Sequence, residues 1–336
     1  MAAGLLALLG ATAAQAGAVQ GQASRGAAAT CVSEFSSLRT LTGHGRKIGP
    51  FDTRDAQPKR SGDAKALAKA NGKKEEDFRR TIAVNVHVIT NRTPNPSLPF
   101  DDTGRVTTER IEEQISVLNL AYGGFGSGVD SGFRFKLKKV DYTENAGWYV
   151  ATVDTPAEAE MKRALRSGKP DDLNLYIKGG IEYPGSAAGW AYMPDIVGEA
   201  AAISVLGGVV VDHRTLPGGP IPGFDLGHTA THELGHWLGL FHTFHPGEAP
   251  GGPSGCDGEG DFVADTPAHD LFSDPGTVTG PCGEGSDSCS AAGVDPIYNF
   301  MNYSYDQCYS EFTAGQAARM QSQFLHWRDK AKYARA

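Results

Sequence analysis

The segment Thr231–His242, with the sequence THELGHWLGLFH, decides the fold of this chain. It contains the pattern His-Glu-x-x-His, beginning at His232, and continues through Gly239 to a third histidine. Side chains four residues apart lie on one face of a helix, so His232 and His236 are predicted to face the same ion. Glycine tolerates left-handed backbone angles, so we expect the chain to turn at Gly239 and bring His242 back as a third ligand.

The spacing of these side chains predicts a catalytic metal site. Three neutral imidazoles with one open position are typical of catalytic zinc, whereas structural zinc is usually closed by four cysteine and histidine ligands. Zinc lowers the pKa of a bound water to about 7 and polarises a carbonyl oxygen. Glu233 lies beside the histidines and is the predicted general base, which takes the proton of the zinc-bound water and delivers it to the leaving amine. The alternatives to a catalytic metal site are a structural zinc site and a buried amphipathic helix whose histidines only make hydrogen bonds.

Patterned segments before this motif predict a mixed α/β domain. Residues 81–90 alternate apolar with smaller or polar side chains, as a strand does. Apolar residues recur every three or four positions over Thr107–Tyr122, which is typical of an amphipathic helix. The remaining predicted elements are strands at 133–137, 173–178 and 209–212 and a helix at 155–166.

Charge and the N-terminal sequence bound the class of protein. With 31 Lys and Arg against 39 Asp and Glu, the net charge is −8, so we expect no nucleic-acid partner. Residues 1–16 form an uncharged Ala- and Leu-rich run ending in Ala14-Gln15-Ala16, which predicts a signal peptide. No later apolar run reaches the roughly 20 residues that span a bilayer, so we expect no membrane anchor. The prediction is a secreted, extracellular protein, and we expect a monomer.

Composition also predicts the division of the chain. Residues 17–80 contain few apolar clusters and end in a strongly charged stretch, so they are predicted to be a pro-segment or linker. The folded domain is then expected over residues 81–336, with an upper subdomain at 81–239 and a lower subdomain at 240–336.

The cysteines predict cross-linking of the lower subdomain. Residues 244–297 are rich in Gly, Pro and Asp and contain too few apolar residues for a core of their own. In an oxidising secretory route, four clustered cysteines form two disulfides, but their spacing leaves all three pairings open. These four are Cys256, Cys282, Cys289 and Cys308, and Cys31 is left over.

The full pattern HExxHxxGxxH resembles the zinc signature of the metzincin metalloproteases, which also have a methionine turn below the zinc. Residues 81–323 are similar to the pappalysin family, in particular its secreted fungal-type branch. Three segments carry most of this resemblance: HELGHWLGLFHTF, GDFVADTPA and DPIYNFMNYSYDQC. It implies a metzincin-type catalytic domain, with a mixed twisted sheet, an active-site helix and a loop-rich, disulfide-bonded C-terminal subdomain. It also implies a zinc endopeptidase that acts on protein or peptide substrates.

The resemblance implies roles for further residues. Met301 matches the methionine turn, and Tyr303 matches a tyrosine whose phenol donates a hydrogen bond to the oxyanion of the transition state. The alternative for Tyr303 is simple packing. The implied disulfides are Cys256–Cys289 and Cys282–Cys308. The acidic loop with Asp261, Asp265 and Thr266 resembles a calcium site of the family, and a solvated acidic loop is the alternative.

Four predictions concern regulation and recognition. Cys31 is a candidate latency switch, in which its thiolate fills the open zinc position, or else an unpaired or intermolecular thiol. Gly208–Asp212 is expected to be the edge strand that pairs with an extended substrate. Asp306 either favours a basic residue just after the cleaved bond or has a structural role. Asn91 begins an Asn-x-Thr glycosylation sequon.

Three alternatives to a broad endopeptidase remain at this stage. One is a peptidase that processes a single partner protein, and sequence does not distinguish it from a degradative enzyme. Another is a secreted binding protein that has kept the fold and lost the activity. The third is a disulfide-stabilised structural protein in which zinc only stabilises the fold. The intact Glu233 and the three histidines favour an enzyme, because a binding protein needs neither the base nor the open metal position.

Overall fold

The computed structural model describes residues 78–93, 102–180, 188–194, 204–247, 252–271 and 282–328. The predicted signal peptide, Cys31 and nearly all of the predicted pro-segment lie outside these residues. Within the described ranges, none of the helices has the length and apolar character needed to cross a bilayer.

Within the described residues, five strands form one mixed sheet with the order β2-β1-β3-β5-β4. Neighbouring strands are parallel except β4 and β5, which are antiparallel. Every side chain of β3 is buried, as expected for a parallel strand covered on both faces. The strands are β1 (Arg80–Thr90), β2 (Phe133–Glu144), β3 (Leu173–Lys178), β4 (Gly189–Ala191) and β5 (Val209–Asp212).

Side chains cap the N-termini of several helices in the described chain. Thr107 and Thr155 each accept a hydrogen bond from a backbone N–H in the first turn of the helix that follows. The last helix begins with a capping box formed by Thr313 and Gln316, and its position was not predicted from the sequence. The helices are α1 (Thr108–Tyr122), α2 (Ala146–Tyr149), α3 (Pro156–Leu165), α4 (His228–Trp237) and α5 (Ala314–Trp327).

Apolar clusters cover both faces of the sheet. One cluster joins the sheet to α1, α4 and α5, and the other joins it to α2 and α3. Side chains alternate between the faces of a strand, so Val209 and Val211 belong to the first cluster and Val210 to the second. This arrangement leaves α4 on the first face, next to β4 and β5.

The expectation that Gly208–Asp212 is the edge strand is wrong. This segment contains β5, which lies between β3 and β4, so β4 is the edge. β4 has three residues, Gly-Trp-Ala, and such a segment is too short to show the alternation that predicts a strand. The opposite edge is β2, which carries the exposed Lys136, Lys138 and Lys139.

The chain after α4 consists mainly of loops up to α5. Disulfides join Cys256 to Cys289 and Cys282 to Cys308, the pairs that the family resemblance implies. Asp295 accepts hydrogen bonds from the hydroxyl of Ser286 and from the backbone N–H and hydroxyl of Ser288. This region therefore depends on cross-links and polar contacts, as its composition predicts.

Candidate active site

Three histidine side chains meet at the end of α4. The Nε2 atom of His236 lies 3.1 Å from Nε2 of His232 and 3.1 Å from Nε2 of His242. All three side chains are buried. Among the described residues they are the one group of three or more His, Cys, Asp or Glu side chains placed to hold a metal ion.

Local structure explains this convergence. His232 and His236 lie one turn apart on α4. The chain leaves the helix through Gly239, whose φ of 97° lies in the left-handed region that favours glycine. It then returns towards the helix, so that His242 faces the other two rings. The sequence prediction of a turn at this glycine agrees with the structure.

Backbone carbonyls orient two of the rings. Nδ1 of His232 lies 2.7 Å from the carbonyl oxygen of Phe300, and Nδ1 of His236 lies 2.8 Å from that of Leu240. A carbonyl oxygen only accepts, so each Nδ1 carries the proton and each Nε2 presents a lone pair to the cluster. This donor set fits a zinc ion with three imidazole ligands.

Electrostatics favour the neutral form of these ligands. Burial, together with the neighbouring His236, holds the pKa of His232 well below its usual range. Burial and the same neighbour likewise hold the pKa of His242 low. Since a metal binds the neutral imidazole, the pocket is prepared for a cation at neutral pH.

Glu233 is buried next to the backbone of the edge strand. A Cβ atom built on Gly189 would lie 2.9 Å from Cγ and 3.2 Å from Oε1 of Glu233. A glycine therefore lets β4 pass directly against this carboxylate. The structure thus places the predicted base against the edge of the sheet, on the helix that also carries His232 and His236.

The methionine turn lies below the histidines. Met301 is fully buried, and the absence of a side chain at Gly235 of α4 gives its sulfur room. Its carbonyl oxygen accepts a hydrogen bond from the backbone N–H of Thr243, the residue after the third histidine. The side-chain oxygen of Asn299 accepts a hydrogen bond from the backbone N–H of Met301, and this bond stabilises the turn.

Tyr303 reaches the site from the same turn. Its ring centroid lies 4.8 Å from that of His242, 5.8 Å from that of His232 and 4.7 Å from that of Phe244. The side chain is half-buried at the edge of the cluster. This position is compatible with the hydrogen-bonding role that the resemblance implies.

The residues of the predicted calcium site have different surroundings. Asp265 accepts hydrogen bonds from the Thr313 hydroxyl and from the backbone N–H of Gly315, at the start of α5. This role as a helix cap was missed, because its partners are about fifty residues away in sequence. Asp261 is buried, which raises its pKa to about 7, and Thr266 lies in the same loop. Calcium binding stays a prediction.

Asp306 has contacts that the sequence did not reveal. It is buried, and its Oδ2 accepts hydrogen bonds from the backbone N–H groups of Leu226 and His228 at the start of α4. Its Oδ1 has no hydrogen-bond partner among the described residues. Burial raises the pKa of Asp306 to about 7. These bonds favour a structural role for Asp306 over a role in selecting the residue after the cleaved bond.

Asn91 lies at the end of β1, and its glycosylation stays a prediction.

Comparisons with known proteins agree with this geometry. The model of the peptidase family M43, described as pregnancy-associated plasma protein-A, matches residues 173–325. An extracellular metalloprotease of Sordaria macrospora is 43% identical over 253 residues, which make up 74% of this chain and 77% of the relative. An extracellular metalloprotease of Neurospora crassa is 41% identical over 254 residues, or 75% of this chain and 78% of the relative.

Solved structures show the same fold. A mutant of Tannerella forsythia promirolysin superposes with a TM-score of 0.57 at 22% identity, covering 82% of this chain and 91% of that one. Mature mirolysin in complex with a cleaved peptide superposes with a TM-score of 0.52 at 22% identity, covering 75% and 98%. The predicted mixed α/β architecture with an active-site helix is confirmed.

Proposed function

The chain belongs to the pappalysin family of metallopeptidases, and from this premise we propose that it is a secreted, zinc-dependent endopeptidase with Glu233 as its general base. The convergence of three Nε2 atoms at the helix that contains this glutamate carries the proposal. Because the chain is a metallopeptidase, its substrates are peptides or proteins.

The ligand residues and the base divide the chemistry between them. His232, His236 and His242 would hold the zinc ion, which when bound would act as a Lewis acid toward the scissile carbonyl and acidify water. Glu233 then accepts a proton from the attacking water and delivers it to the leaving nitrogen. Its burial supports this role, since a carboxylate shielded from bulk solvent transfers protons within the site.

Tyr303 completes the site as a hydrogen-bond donor. Its phenol stabilises the negative charge that develops on the carbonyl oxygen in the transition state. The position of its ring beside His242 supports this assignment.

The open edge of β4 supports a binding mode for the substrate. An extended peptide adds to a sheet edge through main-chain hydrogen bonds, which are independent of sequence. Gly189 of β4 lies against Glu233, so a peptide on this edge passes beside the base. An endopeptidase needs this arrangement, because it must accept chain on both sides of the cleaved bond.

Secretion and processing form part of the same proposal. Residues 1–16 are removed as a signal peptide, and residues 17–80 are a removable segment before the catalytic domain. The two disulfides support an oxidising route, and the relatives are named extracellular.

The test compares the processed protein with two glutamate variants on denatured casein, with and without a zinc chelator. Glu233→Gln should keep its fold and zinc while the rate falls by about a thousandfold or more. Glu160→Gln, which changes an exposed glutamate on α3, is the matched control and should cleave as the wild type does. Wild-type turnover in Glu233→Gln would exclude Glu233 as the base. Absence of cleavage by a zinc-loaded, correctly processed wild type would favour a binding protein.

A further inference from the structure

A buried carboxylate lies behind the edge strand, on the face of the sheet away from α4. Glu158 of α3 is fully buried, and its Oε1 lies 2.7 Å from Nζ of Lys162 and accepts the indole N–H of Trp190 at 2.6 Å. Its Oε2 accepts the hydroxyl of Tyr192 at 2.7 Å and the backbone N–H of Asp154 at 2.8 Å. Burying a charge is costly unless it is paired and hydrogen-bonded, so these donors are held tightly in place.

The lysine of this pair has contacts of its own. Lys162 is fully buried and donates a hydrogen bond to the carbonyl oxygen of Leu206 at 2.8 Å. Its ammonium also lies 4.7 Å from the ring centroid of Tyr192. Burial lowers the pKa of Lys162, while the adjacent Glu158 opposes that shift. The lysine thus contacts the segment that contains β4 through Tyr192 and the turn before β5 through Leu206.

The edge strand itself has little main-chain support. β4 has three residues and pairs with β5 alone among the described strands. Trp190 is its central residue and pairs with Val210, and its ring also faces Nζ of Lys178 at 5.4 Å from the centroid. Since side chains alternate, Trp190 points to Glu158 on one face while Gly189 meets Glu233 on the other.

We propose that Glu158, paired with Lys162, is a positioning residue for substrate binding: it fixes Trp190 and Tyr192 and thereby aligns the outer edge of β4 for an extended peptide. The inference rests on the proposed function. A strand that is ordered before the peptide arrives loses less conformational entropy on binding. The ion pair therefore acts on peptides long enough to pair with β4 and much less on peptides that reach only the cleaved bond.

Two conservative variants test this without breaking the ion pair. Trp190→Phe and Tyr192→Phe each remove one hydrogen bond to Glu158 and keep an aromatic ring. For the double variant, we expect the ratio of kcat/KM for a peptide of about eight residues to that for one of about three residues to fall about fivefold to tenfold. In the Glu233→Gln background, the Kd of the long peptide should rise by the same factor, since KM alone is not a binding constant.

The matched control is Tyr176→Phe. Tyr176 lies in the same buried cluster, and its hydroxyl has no hydrogen-bond partner among the described residues. Its loss should leave the length ratio and the Kd of the long peptide unchanged. Melting temperature and zinc content are measured for every variant, so that general destabilisation is recognised.

Two results would overturn the inference. One is a length ratio within about twofold of wild type in the double variant, whether both peptides keep their rates or lose them equally, and the other is an unchanged Kd of the long peptide in the Glu233→Gln background. In both cases chelator-sensitive cleavage by the wild type would persist. Failure of the proposed function would look different, because the wild type would be inactive or Glu233→Gln would remain active.

Discussion

The chain before Gly239 and the chain after it keep their shape by different means. The first part, the sheet region (residues 78–239), has five strands with apolar clusters on both faces. The second part, the loop region (residues 240–328), has two disulfides and polar contacts, and its buried apolar residues join the core of the sheet region. Phe300, Met301 and Met320 are examples.

The candidate active site is built from residues of both regions. The sheet region supplies His232, His236 and Glu233, and the loop region supplies His242 and Tyr303. The carbonyl oxygen of Phe300 in the loop region also orients the ring of His232. A region without a core of its own can therefore still place a side chain, here that of His242, accurately when it is cross-linked and packed onto a rigid neighbour.

The largest expected effect comes from removing the ligand that the loop region supplies. His242→Ala leaves two imidazoles, so zinc content and peptide hydrolysis should both fall, with the rate reduced at least about a thousandfold. His232→Ala should lower zinc content and the rate to the same extent, although His232 comes from the sheet region. Zinc analysis and initial rates check this, with His326→Ala, an exposed histidine of α5, as the control. Full zinc occupancy in His242→Ala would mean that the loop region does not take part in the metal site.

The next largest effect is expected from removing a disulfide, which should destabilise the loop region more than the sheet region. Replacing Cys256 and Cys289 with serine opens a bridge between residues 33 positions apart, so the free energy of unfolding should fall by about 3 kcal/mol. Hydrogen exchange should quicken in residues 252–297 before it does in β1 and β3, because those strands are held by the core. Equal acceleration in both regions would show that the loop region is not the separately stabilised part.

Tyr303→Phe should have a smaller effect, on catalysis alone. Loss of the phenol removes one donor to the oxyanion, so kcat should fall by about ten- to a hundredfold while KM and melting temperature change little. The Phe variant keeps the ring packed against His242 and Phe244. An unchanged kcat would assign Tyr303 a packing role in the loop region.

The smallest effect on the rate of cleavage concerns Asp306, which ties the loop region to the start of α4. Burial raises its pKa to about 7, so its contribution to stability is full below about pH 4 and is lost as pH rises through about 7. Asp306→Asn stays neutral, so its stability relative to wild type should increase between pH 4 and pH 8, by about 4 kcal/mol for the full shift. Urea denaturation at several pH values measures this. A difference that does not vary with pH would mean that Asp306 does not titrate in this range.

Much of the sheet region could be predicted because its signals are local. The alternation over residues 81–90, the periodicity of α1 and the spacing of the three histidines each depend on a few neighbouring residues. The family motif added Met301 and Tyr303, which the structure brings to the site. The confirmed fold class follows from the same short patterns.

Features without a local signal were missed. β4 is too short to show a pattern, so the edge of the sheet was assigned to the wrong strand. Glu158 and Lys162 stand four apart on a predicted helix, as an exposed ion pair would, and their burial depends on strands far away in sequence. The carbonyl groups of Phe300 and Leu240 orient two ligands, yet every residue has a carbonyl and sequence does not single these out.

The lysines of β2 have a consequence for the behaviour of the protein at high concentration. A twelve-residue edge strand is a template onto which another chain can add, and repetition of that step leads to fibrils. The exposed Lys136, Lys138 and Lys139 place charged side chains along this edge, which discourages such stacking, and Lys138 and Lys139 are paired with Asp172 and Asp141. The opposite edge is three residues long, shorter than the six or seven residues that form a steric zipper. Within the described residues, the sheet therefore has one long charged edge and one short edge, and neither favours self-association.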